Sequence, residues 1–424
     1  ELSYLNADTL TIGNGTGAID VKGVTDGSDA DIDNGVTLSG TNVTFDTAAS
    51  TFEALTVTAT GVVDIDVNIT TDVGAMSLTG STAGADGDNM AIATGVTLNA
   101  TGNLTLANDS TDALDIVGEG VLNLTTAGVL TISNAVDANG ALTLTAANIT
   151  LSDVIDADSN AVNIIPQSGG TIGLGAGAGT LSLDDTELGH INTSGIVTIG
   201  TNGTTDMVID GWTDDGGLTG TVVLTADNAA GTVTFSGSAS TLTAGLTVNS
   251  DAGVTVSVDV TTAGTTDINA DEDGSGGGTF TLDAGIDLDA GAGALTIAGA
   301  GFALATNANT DILTTGALTL VATNNATITV AADTGFGITN TELSYLNADT
   351  LTIGNGTGAI DVKGVTDGSD ADIDNGVTLS GTNVTFDTAA STFEALTVTA
   401  TGIVDIDVNI TTDVGAMSLT GSTA

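Results

Sequence analysis

Cysteine is absent from these 424 residues, so disulfides play no part in stability and thiol chemistry says nothing about compartment. Basic residues are nearly absent too. Lys22 and Lys363 stand against 53 Asp and Glu, for a formal net charge of −51. Such an anion excludes nucleic acid as a partner, and it excludes adsorption to a bare anionic membrane. Aromatics are 3% of the chain, too few for a wide globular core, which draws on Phe, Tyr and Trp for buried area. There is one proline, Pro166, and no proline-rich hinge. No apolar run reaches the roughly 18 residues that span a bilayer, so membrane insertion of this segment is not expected, and no signal peptide is visible.

What the chain has in quantity is repetition. The segment beginning E-L-S-Y-L-N-A-D-T-L-T-I-G at Glu1 returns at Glu342 and runs to Ala424. Of the 83 paired positions 82 are identical, the exception being Val62 against Ile403. The repeat is therefore 341 residues: 1–341 is a full unit and 342–424 starts the next copy. Without an initiating methionine, and with the pattern interrupted at both ends, the chain reads as a window on a longer array.

Gly, Thr, Ala, Asp and Asn are spread evenly, which suits one continuous stack of like units over 1–424. Apolar triplets with a small polar centre recur: V-T-L at Val36, L-T-V at Leu55, M-S-L at Met76 and V-T-L at Val96. A second run has L-N-L at Leu122, L-T-L at Leu142, V-N-I at Val162 and L-S-L at Leu181. Period two with apolar flanks is a strand with one buried face. Gly- and Asn-containing gaps such as S-G-T-N supply corners. Short strands at regular spacing predict an all-β parallel β-helix, a β-solenoid of roughly 20 residues per rung. The alternative is a tandem array of antiparallel β-sandwiches, against which the spacing and the scarce aromatics weigh. At roughly 20 residues per rung the chain makes about 21 rungs, about 100 Å, and carries one negative charge per roughly 2 Å, near the density of duplex DNA. Rods so charged repel one another unless salt or multivalent cations screen them, which implies a saline or calcium-rich setting.

A weaker repeat lies inside the 341. T-E-L-G-H-I-N-T-S-G-I-V-T-I-G from Thr186 matches T-E-L-S-Y-L-N-A-D-T-L-T-I-G-N from Thr341, and G-L-G-A-G-A-G-T-L-S-L-D-D precedes the first. This pattern resembles repeats of the giant filamentous-haemagglutinin-type exoproteins of bacteria. The resemblance is sharp only around these two sites, with a compatible texture elsewhere. It implies a right-handed parallel β-helix at the cell surface, acting as a structural filament or sheath or as the stalk of an adhesin. The secretion domain that heads such proteins has no counterpart here, and basic residues are far scarcer.

Catalysis is not expected. Lyases on β-helices need a basic residue and cationic neutralisation of a sugar acid, and one lysine per repeat does not supply both. A glycosidase needs only two carboxylates, but Asp64 and Asp66 simply alternate along a strand pattern. His190 is the only histidine and takes the place of Tyr345 in the internal repeat, a packing position. Tyr4, Trp212 and Tyr345 are the candidate aromatic anchors for a ligand, although Trp212, in D-G-W-T-D-D-G-G, reads first as the cover of a loop or rung edge. Two kinds of cluster suit Ca²⁺ as a cofactor, with oxygen ligands at alternate positions before a turn glycine. One is Asp267, Asn269, Asp271 and Asp273. The other is Asp29, Asp31 and Asp33, copied as Asp370, Asp372 and Asp374. Neither is followed by the bidentate Glu of an EF-hand. An ice-binding plane would need outward threonines at one place on successive rungs, and along the chain the outward residue varies among Thr, Ser and Asn. The expected partner is the protein itself, in longer arrays or as rods joined through cations.

Overall fold

The computed structural model describes residues 2–422 apart from 81–89, 109–113, 118–119, 168, 202, 215, 227 and 306–310. Its strands are two to six residues long and its ladders run parallel, with partners one rung apart in sequence except at two tight pairs, Ile172–Gly175 with Leu181–Leu183 and Ile328–Val330 with Phe336–Ile338. This is a parallel β-solenoid, and the sandwich alternative falls because consecutive strands do not pair as hairpins. No helix among the described residues is long and apolar enough to cross a membrane. The chain divides into two compact units, Glu1–Gly200 with Asp215–Gly220, and Thr201–Asp214 with Thr221–Ala424.

In the first unit the chain visits three faces in turn: Val36–Gly40, Val43–Phe45, Ser50–Phe52, then back to the first face at Leu55–Ala59. The first face runs from Leu10–Gly13 through Met76–Thr79 to Asn148–Leu151. The second runs from Ile19–Val21 to Ile191–Asn192, and the third from Ser50–Phe52 to Val197–Gly200. The triplet pattern explains each strand. In Val36–Gly40 the residues Val36, Leu38 and Gly40 are buried while Thr37 and Ser39 face out. Register then stacks like on like, so that Leu38 lies over Val57, Val57 over Leu78, and Leu78 over Leu106. Gly35 makes the corner before this strand: its φ is +84°, and a Cβ there would collide with the Ala54 backbone.

In the second unit one ladder of nine strands runs from Thr221–Ala226 to Met417–Thr420. Shorter ladders flank it, one from Asp206–Asp210 to Gly301–Leu304 and one from Ser240–Leu242 to Leu346–Asn347. Phe280, Phe302 and Phe336 stack in file at 5.9 and 5.7 Å between ring centres.

The rungs are longer and less uniform than the sequence spacing implies. A rung can be as short as the step from Val36 to Leu55 and as long as that from Ile155 to Ile191. The step from Val222 to Leu246 is typical of the nine-strand ladder. Two of the sequence spacings join strands of different faces. Met76 stacks on Leu104, not on the Val96 triplet, whose Leu98 pairs with Ile69 on the third face. Val162 is followed by Val197, while Leu181 pairs with Ile172. The triplets of all three faces look alike, so sequence spacing alone does not say which face a triplet joins.

The long rungs have a cause. In each unit a tight parallel pair of strands leads into a short helix. Ile172–Gly175 and Leu181–Leu183 precede α1 (Asp185–Gly189), and Ile328–Val330 and Phe336–Ile338 precede α2 (Asn340–Leu343). Both helices open with a capping box, Asp184 with Glu187 and Thr339 with Glu342. The same glutamates also accept a backbone N–H from the last residue of a ladder, Leu151 to Glu187 (3.2 Å) and Leu304 to Glu342 (3.1 Å). A carboxylate thus replaces the carbonyl that a following strand would have offered. Within the first unit this motif recurs on a different side. Leu10–Gly13, which ends the motif starting at Glu1, lies on the first face, whereas Val197–Gly200, which ends the motif of α1, lies on the third.

Candidate functional site

The aspartate clusters are the residues whose sequence spacing raises the expectation of a bound cation. In the cluster at 267–273 the carboxylates diverge. Asp267 faces out from the strand Thr266–Asn269. Asn269 accepts the Asp271 N–H (3.3 Å) and donates to Glu272. Asp271 is buried, and its carboxylate collects the N–H groups of Gly276, Gly277 and Gly278 at 3.0–3.3 Å together with the Thr323 hydroxyl. Successive N–H groups of this kind form an anion nest, and the chain's own carboxylate fills it. Asp273 accepts the Ser275 N–H (2.9 Å). Asp271 therefore organises the 271–278 loop, a role that alternate-residue spacing does not reveal.

The other cluster splits in both copies. Asp29 and Asp370 are buried, whereas Asp31, Asp33, Asp372 and Asp374 are exposed. The Glu53 N–H donates to Asp29 Oδ2 and the Glu394 N–H to Asp370 Oδ2, each at 3.0 Å. Asp370 Oδ1 is buried without a hydrogen-bond partner among the described residues. Burial raises both acids above the usual carboxylate range, against the opposing pull of those N–H groups. Nearby carboxylates add to the rise, Asp72 and Asp26 at Asp29, and Glu394 and Asp413 at Asp370. Among the described residues no group of three or more His, Asp or Glu side chains is arranged to hold a metal ion.

The remaining singular residues have structural partners. Lys22 Nζ lies 2.9 Å from Asp46 and 3.7 Å from Asp20, and Lys363 sits 3.0 Å from Asp387 and 3.5 Å from Asp361. The hydrogen bond to Asp46 or Asp387 raises each lysine above its ordinary value, so neither is poised as a neutral base. His190 ends α1, with Nδ1 3.1 Å from the Leu151 carbonyl oxygen. Trp212 is buried, with its backbone N–H on Ser240 Oγ, and offers no surface to a ligand. The one tryptophan is thus a packing residue, as its reading as a cover over a loop or rung edge implies, and not the alternative surface anchor. Tyr4 is exposed and Tyr345 half-buried.

Outside the core, register aligns the outward residues of each face into rows. On the first face of the first unit, register aligns Thr11, Thr37, Thr56, Ser77, Thr105, Thr131 and Thr150 on seven successive strands. The strands of that face contain no charged residue. The second face differs: its outward row includes Asp20, Asp64, Asp115, Asp137 and Asp156. Burial raises the Asp64 carboxyl, and Asp66 and Asp46 push it the same way. In the second unit the nine-strand ladder repeats the hydroxyl row as Thr296, Thr319, Thr352, Thr378, Thr397 and Ser418, and Asp267 is the one charge on its strands. Charge is thus sorted by face in a chain that looks uniformly acidic in sequence.

No family model matches the chain, and neither a curated protein nor a solved structure does.

Proposed function

We propose that this chain is a structural, non-enzymatic segment of an extracellular or cell-surface filament or sheath, built from tandem 341-residue solenoid repeats. One observation carries the reading. The two copies of the repeated segment build the same ladder, Leu10–Val36–Leu55–Met76 in one and Leu351–Val377–Leu396–Met417 in the other. Each repeat therefore encodes its own stacking, and further repeats add rungs without a new interface. The resemblance to filamentous-haemagglutinin-type repeats supports a surface location. The stalk of an adhesin is the same scaffold with a recognition domain attached.

At about 25 residues per rung, one repeat makes about 14 rungs and advances about 65 Å along the axis. Electron microscopy of the native assembly tests this, with layer lines expected at about 4.8 Å and at about 65 Å. A beaded string with no axial line at the inter-strand spacing would sink the reading. Divalent cations such as Ca²⁺, bridging the aspartate rows of neighbouring rods, are the proposed means of lateral association. A chelator is then expected to disperse bundles and lower their melting temperature.

A further inference from the structure

The hydroxyl rows are not used by any of this. The first face of the first unit carries no charge in a chain of net −51, and no hydroxyl of its row hydrogen-bonds another described residue. Threonine is stiff at χ1, so each side chain presents a methyl and a hydroxyl in a fixed attitude. The parallel ladder sets these groups at about 4.8 Å along the axis, and outward positions on one strand at about 6.6 Å. A second column stands beside the first at Ser39, Thr58 and Thr79. The result is a two-dimensional lattice of hydroxyls and methyls on a backbone whose hydrogen bonds are already made.

Charge decides among the partners such a lattice could meet. An ionic ligand would find no counter-charge on these strands. A glycan would find no aromatic platform, since the strands of this face hold no Phe, Tyr or Trp. A second copy of the chain would bring its own acidic faces and corners close to these, at a repulsive cost. A neutral, periodic array of oxygens carries none of these penalties. We propose that the threonine rows are an ice-binding surface, on which water ordered by the hydroxyls and caged by the methyls joins the crystal lattice. The nine-strand ladder of the second unit provides an equivalent surface along Thr296 to Ser418. This inference is independent of whether the chain belongs to a filament. It also reverses the reading from sequence, because Thr, Ser and Asn that seem to wander along the chain separate into rows once faces are assigned.

The test is partition of the intact chain into a slowly growing ice hemisphere, with thermal hysteresis measured in parallel. Enrichment in the ice fraction and a hysteresis gap that grows with protein concentration are expected. A combined Thr56→Asp, Thr105→Asp, Thr319→Asp, Thr378→Asp variant charges both rows and is expected to lose partition to the level of an unrelated acidic protein. Thr44→Asp, on the acidic second face, is expected to partition as the parent does. Circular dichroism melting separates loss of the surface from loss of the fold. Should the charged variant unfold, Thr56→Lys with Thr319→Lys, which blocks the lattice without adding to the chain's negative charge, replaces it. Exclusion of the parent chain from ice overturns the proposal, as does equal partition of a folded row variant. Retention on crystalline cellulose or chitin without enrichment in ice would likewise overturn it, in favour of a glycan.

Discussion

Two stretches of this molecule are the same sequence with different surroundings. Residues 2–80 and 343–421 differ only at Val62 and Ile403, and from Ile19 and Ile360 onward both form the same strands in the same register. Their burial is nevertheless opposite at the ends. Ile12 is 36% exposed and its counterpart Ile353 fully buried, whereas Met76 is fully buried and Met417 is 38% exposed. Met76 has the Leu104 strand over it, and Ile353 has Leu320. The local pattern thus chooses strand, corner and inward direction, and the neighbouring rung supplies the burial. That division is what a one-dimensional stack requires, since each rung touches only the next.

The sharpest way to break the comparison is at a pair buried in both copies. Phe45 and Phe386 are each fully covered, so Phe45→Ala and Phe386→Ala are both expected to cost about 3–5 kcal/mol, read by denaturant unfolding. Clearly unequal losses would mean that neighbours beyond the adjacent rung contribute. At the unequal pair, Met76→Ala is expected to cost about 2–5 kcal/mol, while Met417→Ala stays within about 1 kcal/mol. Hydrogen exchange of the flanking strands distinguishes the two sites directly.

The glutamate staples come next. Glu342→Ala strands the N–H groups of Thr339 and Leu304, for an expected loss of about 1–3 kcal/mol. Glu187→Ala is expected to cost less, because Glu187 is more open to water. Asp29 and Asp370 sharpen the comparison through pH. Both are acids with raised folded values, so the native state holds their protons more tightly than the unfolded chain does. Their contribution is fully present below the unfolded value of 3.8 and is lost as pH rises through the raised folded one. Asp370→Asn is therefore expected to raise the melting temperature at neutral pH and to flatten its dependence over that acidic window, provided the amide keeps the Glu394 N–H. An unchanged pH profile would show that Asp370 is better solvated than its burial indicates. The smallest effect is expected at the lysines. Lys363→Met is expected to destabilise slightly more than Lys22→Met, since Lys363 is the less exposed, and added salt should erase the difference.

How much of this was legible in the sequence follows from the same division. The V-T-L and L-T-V triplets revealed a parallel solenoid because period two and inter-rung spacing are local properties. The assignment of Val96 and Leu181 to faces was not legible, because nothing in an apolar triplet records which side of the rung it joins. Asp271 looked like a ligand because its neighbours alternate, and only the fold brings Gly276–Gly278 and Thr323 around it. Trp212 sits in a run of Asp and Gly that reads as a loop with a packing aromatic, and what it packs near, such as Ser240, is distant in sequence. The sorting of charge by face was hidden for the same reason: composition averages over sides that the corners keep apart.

One feature of the first unit bears on how any longer array would present itself. The E-L…T-I-G motif leaves its closing strand on the first face at Leu10–Gly13 and on the third at Val197–Gly200. In the first unit, then, what the second motif displays, such as His190 beside its helix, stands by a different face from what the first motif displays. Recurrence of a motif in the sequence is therefore no guarantee that a solenoid shows it on the same side twice.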